Sequence, residues 1–255
     1  MGNALGIERR VFPGRPDPDA RRKIVEKYGR DVEIRDTHVS WTSPENDGRP
    51  PLHVVCFHGN MEDVASTMGG WIKRTGATRL TAVEYPGYGW RVDETPTQRQ
   101  VEDDAKDIAS TIVEGERTII CGRSIGTYPA LVLVDALPKS KKCDGVVLVS
   151  PPLSAVSTVI SPGVVQRALW FVDIAKNSVP AATIDPAIRV LVAHGTEDGV
   201  VPIENARALV DILSRTKDGG ERDVRFLEVE GAKHNDVLTN DTFRHRLKTF
   251  CLVVE

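Results

Sequence analysis

Four cysteines in 255 residues, with no regular spacing, are too few for a disulfide framework. Cys56 and Cys121 lie inside apolar runs, where a reduced thiol packs as a small hydrophobe, so a reducing, cytoplasmic setting is expected. No apolar run approaches the ~20 residues of a membrane-spanning helix, and the first 30 residues lack the apolar stretch of a secretory signal. A formal net charge of −3 speaks against nucleic acid as the main partner. Nor is there a linker-like segment between two apolar regions. With 40% apolar residues the chain is long enough for one large α/β domain. Its charge is uneven, because residues 1–30 hold eight Lys/Arg against four Asp/Glu, leaving +4 there and −7 on the rest.

Residues 1–18 are rich in Gly, Pro and Arg without a sustained period and read as an irregular tail, followed by a short helix up to Tyr28 with Gly29 as its stop. Residues 1–30 are thus set apart from a main domain over 31–255. Val32, Ile34, Val39 and Trp41 alternate as in a strand pair at a sheet edge. From Leu52 onward, apolar strands (52–57, 79–85, 118–121, 145–150, 189–194, 224–229) are separated by amphipathic helical stretches. That alternation predicts a mostly parallel, doubly wound sheet of about eight strands. Residues 151–186 break the rhythm and read as a helical cap insertion, with a helix-like stretch over 164–174.

The centre of the pattern is Thr118 to Ala136. A short apolar strand runs into Gly122-Arg123-Ser124-Ile125-Gly126, then into a helix apolar on all sides. Gly-x-Ser-x-Gly between a buried strand and a buried helix is the nucleophile-elbow pattern, which carries the serine at the tip of a sharp turn. A serine hydroxyl needs a base to take its proton, and the base needs an acceptor on its other ring nitrogen. In open α/β sheets chemistry gathers beyond the carboxyl ends of the strands. His234 follows the last strand in a Gly-containing loop and is the expected base. His58 and His194, each at a strand end before a glycine, are expected to pin loops. Asp198 follows the next-to-last strand and is the expected acid, and the order Ser124, Asp198, His234 suits this pattern. Asp236, Glu197 and Asp173 are the alternatives to Asp198. The oxyanion of a tetrahedral intermediate needs two donors in place, expected from the amides of Ile125 and Asn60. The Asn60 side chain has capping of the following helix as its competing role.

With these residues in hand, the chain resembles the α/β-hydrolase superfamily, and more narrowly the α/β-hydrolase-domain proteins that remove palmitate from membrane-bound cysteines. The resemblance rests on FHGN (57–60), YPGYG (85–89), GRSIGT (122–127), VLVSPP (147–152), HGTEDGVVP (194–202) and VEGAKHND (229–236), which fall in family order. It implies Ser124 as nucleophile, His234 as base, Asp198 as acid, and Asn60 and Ile125 as oxyanion donors. The leading expectation is a serine hydrolase cleaving an ester or thioester through an acyl-enzyme, on an acylated protein or a small ester and with neither metal nor organic cofactor; the alternatives are a carboxylesterase, lipase or peptidase on the same triad and a non-catalytic binding protein on a hydrolase fold. The sequence departs from that group in having no cysteine before Cys56, in Trp90-Arg91 after the GYG turn, and in Lys233 beside the base.

Two further expectations concern the edges of the site. Leu169, Trp170 and Phe171 in the insertion are expected to line an apolar acyl pocket, together with Val164 and Val165. Met1-Gly2-Asn3-Ala4-Leu5-Gly6 is a partial N-myristoylation motif, with Gly6 where Ser or Thr is usual. Lipid on Gly2 together with the basic residues Arg9, Arg10, Arg15, Arg21, Arg22 and Lys23 would give peripheral membrane association.

Overall fold

The computed structural model describes residues 8–44, 48, 50–138, 141, 143–155, 157, 173–216 and 219–252. Eight strands form one sheet: β1 (Val32–Ile34), β2 (His38–Thr42), β3 (His53–Phe57), β4 (Arg79–Val83), β5 (Thr118–Arg123), β6 (Gly145–Val149), β7 (Arg189–Gly195) and β8 (Val224–Val229). Their spatial order is β8-β7-β6-β5-β3-β4-β2-β1. From β8 to β4 every pairing is parallel, and β2 and β1 are added antiparallel at one edge. The doubly wound sheet expected from the alternation is therefore present. The expected edge pair is there too, with Val32 opposite Trp41.

Strands β3, β5 and β6 are buried along their whole length, because helices cover both faces of the sheet. On one face lie α3 (Gln98–Asp107), α4 (Thr127–Ala136) and α6 (Glu204–Leu213), whose Val101, Ala105, Leu131 and Leu209 pack with Ile120, Val146 and Val192. On the other face lie α1 (Ala20–Tyr28), α2 (Val64–Thr75) and α7 (Asp241–Leu252), whose Ile24, Met68, Trp71, Phe243 and Leu247 pack with Val54, Cys121 and Val147. Helix α4 sits where the sheet is most enclosed, so eight of its ten residues are buried. That explains a helix with no polar stripe. Helix α2 starts at Asp63, whose carboxylate accepts the Ser66 amide at 2.8 Å while the Ser66 hydroxyl bonds back to the Asp63 backbone. It ends on Gly76 in the left-handed conformation. No helix among the described residues is long and apolar enough to cross a membrane.

The expectation of an irregular tail fails for residues 8–18. Phe12 is fully buried in the core cluster that holds Tyr85 and Tyr88, and Arg15–Pro16 pairs in parallel with Tyr88–Gly89. The Asp17 amide continues that ladder by donating to the Gly89 carbonyl at 2.7 Å, and Arg15 pairs with Asp63 at 3.0 Å. One buried aromatic and a two-residue ladder fix the segment, and neither produces a periodic pattern. Of the expected basic cluster, Arg21, Arg22 and Lys23 form ion pairs with Asp36, with Asp19 and Glu26, and with Asp17. A short α5 (Ser178–Ala181) lies within the insertion. The stem of the insertion is closed by a 3.0 Å bond from the Ala155 amide to the Ile174 carbonyl. It is anchored at the start of α4, where Asn177 Nδ2 donates to Thr127 Oγ1 at 2.8 Å. Of the helix expected over 164–174, residues 164–172 lie outside the described residues and Asp173 and Ile174 are not helical; the pocket residues Val164, Val165, Leu169, Trp170 and Phe171, and Gly2, also lie outside the described residues.

Candidate active site

Strand β5 runs two residues further than its apolar run suggests, to Arg123, and Ser124 follows with φ +51°. A positive φ at a serine is a strained backbone, found where a side chain is presented at the tip of a tight strand-to-helix turn. The turn places Ile125 at the head of the helical segment that leads into α4. The Ser124 side chain is largely buried, and its Oγ lies 3.1 Å from His234 Nε2. On the other side of that ring, Nδ1 lies 2.7 Å from Asp198 Oδ2. With Asp198 ionised, the proton of a neutral imidazole sits on Nδ1 and the Nε2 lone pair faces the serine hydroxyl.

The carboxylate is held from several directions. Asp198 Oδ1 accepts the amides of Val200 and Val201 at 2.9 and 2.8 Å, and His194 Nε2 stands 3.2 Å from Oδ2. Burial works against the charge, but the contacts with His194 and His234 and the Val201 amide outweigh it. The carboxyl is therefore held well below the usual carboxylate range. The loops after β7 and β8 are also joined through backbone. The Glu197 amide donates to the Ala232 carbonyl at 3.0 Å, and the Thr196 amide to the Val229 carbonyl at 3.0 Å. Asp198 and His234, 36 residues apart in sequence, are thus fixed relative to each other by the loops that carry them.

Solved structures share this framework. A monoacylglycerol lipase from Paleococcus ferrophilus superposes with a TM-score of 0.58 over 86% of this chain and 99% of its own, at 18% identity. TT1662 from Thermus thermophilus does so with a TM-score of 0.61 over 88% and 98%, at 15% identity. Esterase PE8 matches at 0.56 over 85% and 98%, at 18% identity. The chain has the α/β-hydrolase fold. No family model matches it. In sequence it is similar to human alpha/beta hydrolase domain-containing protein 17B, 28% identical over 200 residues that make up 76% of this chain and 64% of that protein. Alpha/beta hydrolase domain-containing protein 17C of Xenopus tropicalis is 27% identical over 206 residues, 77% of this chain and 60% of that protein. The chain therefore spans less than two thirds of the length of these relatives.

The alternatives to Asp198 have other surroundings. Asp236 accepts the Lys233 amide at 3.1 Å and so braces its own loop, while Glu197 is exposed. Asp173 lies at the stem of the insertion beside Lys176 and Tyr128, along a cleft of about 370 Å³. Both other strand-end histidines pin loops as expected. His58 bonds Glu84 Oε1 and the Gly59 carbonyl, each at 2.8 Å, and His194 bonds the Val201 carbonyl at 2.8 Å. In the buried His58–Glu84 pair, desolvation opposes the imidazolium but the Glu84 charge and hydrogen bond prevail, so the His58 pKa is raised.

The Asn60 side chain does not cap α2, a role taken by Asp63. Its Nδ2 donates to the Val11 carbonyl at 2.8 Å and its Oδ1 accepts the Tyr88 hydroxyl at 2.6 Å. The loop after β3 is thereby tied to the N-terminal segment and to the turn after β4. Two of the departures from the resembling group differ in weight. Arg91 is buried and reaches Asp104 at 2.5 Å and the Glu84 carbonyl at 2.8 Å, and Trp90 donates to the Asp36 carbonyl at 2.8 Å, so both hold loops. Lys233 is exposed. Sequence reasoning missed Glu62, Arg123 and Asn235, which form a linked set at the same strand ends. The one signal available was a charged residue, Arg123, inside the otherwise apolar run into Ser124.

Proposed function

We propose that the chain is a serine hydrolase that cleaves an ester or thioester through an acyl-enzyme, with a long-chain acylated protein as substrate. The observation that carries this reading is the continuous relay from Ser124 through His234 to Asp198, on a serine held at positive φ. His234 takes the Ser124 proton as Oγ adds to the acyl carbonyl, giving a tetrahedral oxyanion. The amides of Ile125 and Asn60 receive that negative charge. Collapse of the intermediate expels the thiolate or alkoxide, which leaves with the proton from His234, and the acyl group stays on Ser124. Water, deprotonated by His234, then attacks the ester, releasing the carboxylic acid and restoring the serine. All of this is done by the chain's own side chains and amides.

The choice of substrate rests on the sequence resemblance to the depalmitoylating group. Leu169, Trp170 and Phe171 of the insertion are the residues proposed for the acyl chain. A fluorophosphonate probe is expected to label the wild type and leave Ser124→Ala unlabelled, and equal labelling of both sinks the assignment. Thioesters of graded chain length then test the substrate. Preference for palmitoyl over acetyl supports the acylated protein, and the reverse makes the enzyme a small-ester carboxylesterase.

Peripheral membrane association through myristoylated Gly2 belongs to the same reading. A single myristoyl chain binds only marginally, with a constant of about 10⁴ M⁻¹, so a second signal is needed. Because Arg21, Arg22 and Lys23 are already in ion pairs, that signal falls mainly to the exposed Arg9 and Arg10. In a eukaryotic cell the wild type is expected in the membrane fraction and Gly2→Ala in the soluble one. A wild type found wholly soluble removes the anchor.

A further inference from the structure

Arg123 is the residue immediately before the candidate nucleophile, and its side chain is only 7% exposed. A buried guanidinium is costly unless its charge and its donors are met, so its partners say what it is for. One arm, Nη1, is paired with Glu62 Oε1. The other carboxylate oxygen of Glu62 accepts the Gly59 amide at 2.7 Å, so this pair grips the loop after β3 one residue before Asn60. The second arm, Nη2, donates to Asn235 Oδ1 at 2.6 Å, and Asn235 is the neighbour of His234. The distance from this loop to the serine is short: a carbon added at Gly59 would stand 3.5 Å from Ser124 Cβ and 3.3 Å from Arg123 Nη1.

We infer that Arg123 is a positioning residue that fixes the Asn60 loop and the His234 loop relative to Ser124. The inference rests on the serine-hydrolase reading and deepens it. Three loops from three different strands supply the nucleophile, one proposed oxyanion donor and the base, and Arg123, bonded in the chain to the nucleophile, reaches the other two loops with its guanidinium. Its planar fork suits the task, because the two terminal nitrogens diverge in fixed directions toward two partners. A lysine at the same place keeps the charge opposite Glu62 but carries a single nitrogen, so it cannot hold Glu62 and Asn235 at once in the same geometry. Small displacements at a nucleophile–base pair are felt in rate: an error of 1 Å can cost about a hundredfold.

The test uses the full-length protein and a p-nitrophenyl ester, with kcat, KM, thermal melting and fluorophosphonate labelling measured on Arg123→Lys, Asn235→Ala and the double variant. Arg123→Lys leaves Glu62 compensated, and Asn235 is at the surface, so both variants are expected to fold. Arg123→Lys should lower kcat at least tenfold with KM within twofold. Asn235→Ala should lower kcat about threefold or more, and the double variant should fall no further than Arg123→Lys, because both changes cut the same tie. Values of kcat within twofold of wild type in both single variants overturn the inference. So does a loss confined to KM, which would make the arginine a substrate contact, or a loss of kcat that tracks the fraction of protein unfolded. A wild type without Ser124-dependent turnover fails the underlying reading and takes this assignment with it, whereas an active wild type matched by Arg123→Lys fails the inference alone.

Discussion

Replacing His234 with alanine is expected to lower kcat by a factor on the order of 10⁶ while leaving the protein folded and able to bind substrate. His234 Nε2 is the group placed to take the Ser124 proton, at 3.1 Å, and the serine has no other imidazole within bonding reach among the described residues. His58 and His194 are committed to Glu84 and Val201, and each is fully or almost fully buried. The His234 side chain is 11% exposed, and its removal leaves only the buried charge of Asp198 to be met, which keeps His194 and two amides. Some catalysis above the background reaction should survive, of order 10³-fold, from the oxyanion donors and binding. The pH profile of the wild type gives the complementary readout. Because Asp198 is held ionised well below the usual carboxylate range, it should stay charged across the assay range and contribute no limb to that profile. Steady-state kinetics on both proteins decides the matter. A His234→Ala enzyme within tenfold of wild type removes this histidine from the mechanism.

What could be seen in the sequence follows from which interactions are local. Ser124, Asp198 and His234 each come directly after a strand that a run of apolar residues makes visible, and a parallel sheet brings successive strand ends to one side. Their order in the chain therefore sufficed to bring them together. Phe12 gave no such signal. It is one aromatic among Gly, Pro and Arg, and its burial depends on Tyr85 and Tyr88, which lie far along the chain. Asn60 was legible as a residue of the site but not in what its side chain does, since capping of α2 passed to Asp63 and the amide group turned to Val11 and Tyr88. The set around Arg123 was hidden for the same reason. Its partners Glu62 and Asn235 are 61 and 112 residues away, and although Asn235 falls in the VEGAKHND stretch, no local pattern ties either residue to Arg123.

The second large effect is on the fold itself, at Gly126. Strand β5 and helix α4 meet at the elbow so closely that the turn passes directly under the end of β3. A methyl carbon on Gly126 would lie 2.6 Å from the Phe57 carbonyl oxygen and closer still to that of His58. Relief by rotating a side chain is excluded, because both obstacles are backbone. Shifting them would mean moving β3 within the sheet, where Phe57 pairs with Val83 on one side and Gly122 on the other. It would also disturb His58, which is locked by Glu84 and its own loop. Moving α4 instead would lift eight buried residues off the core. The conformation of Gly126 is not at issue, since its φ of −65° is open to any residue, so the cost of Gly126→Ala is steric alone. Overpacking of a rigid interior costs about 1–3 kcal/mol where side chains can yield, and a clash with two backbone carbonyls belongs at or beyond the upper end of that range. Gly126→Ala is therefore expected to lower the thermal midpoint by several degrees or to prevent soluble expression, and to abolish Ser124 labelling in whatever protein folds. Thermal melting of the purified variant measures it. A Gly126→Ala protein that melts with the wild type and keeps its labelling would mean that the elbow is looser than this packing implies, and that Ser124 is not held in place by the crowding of strand and helix.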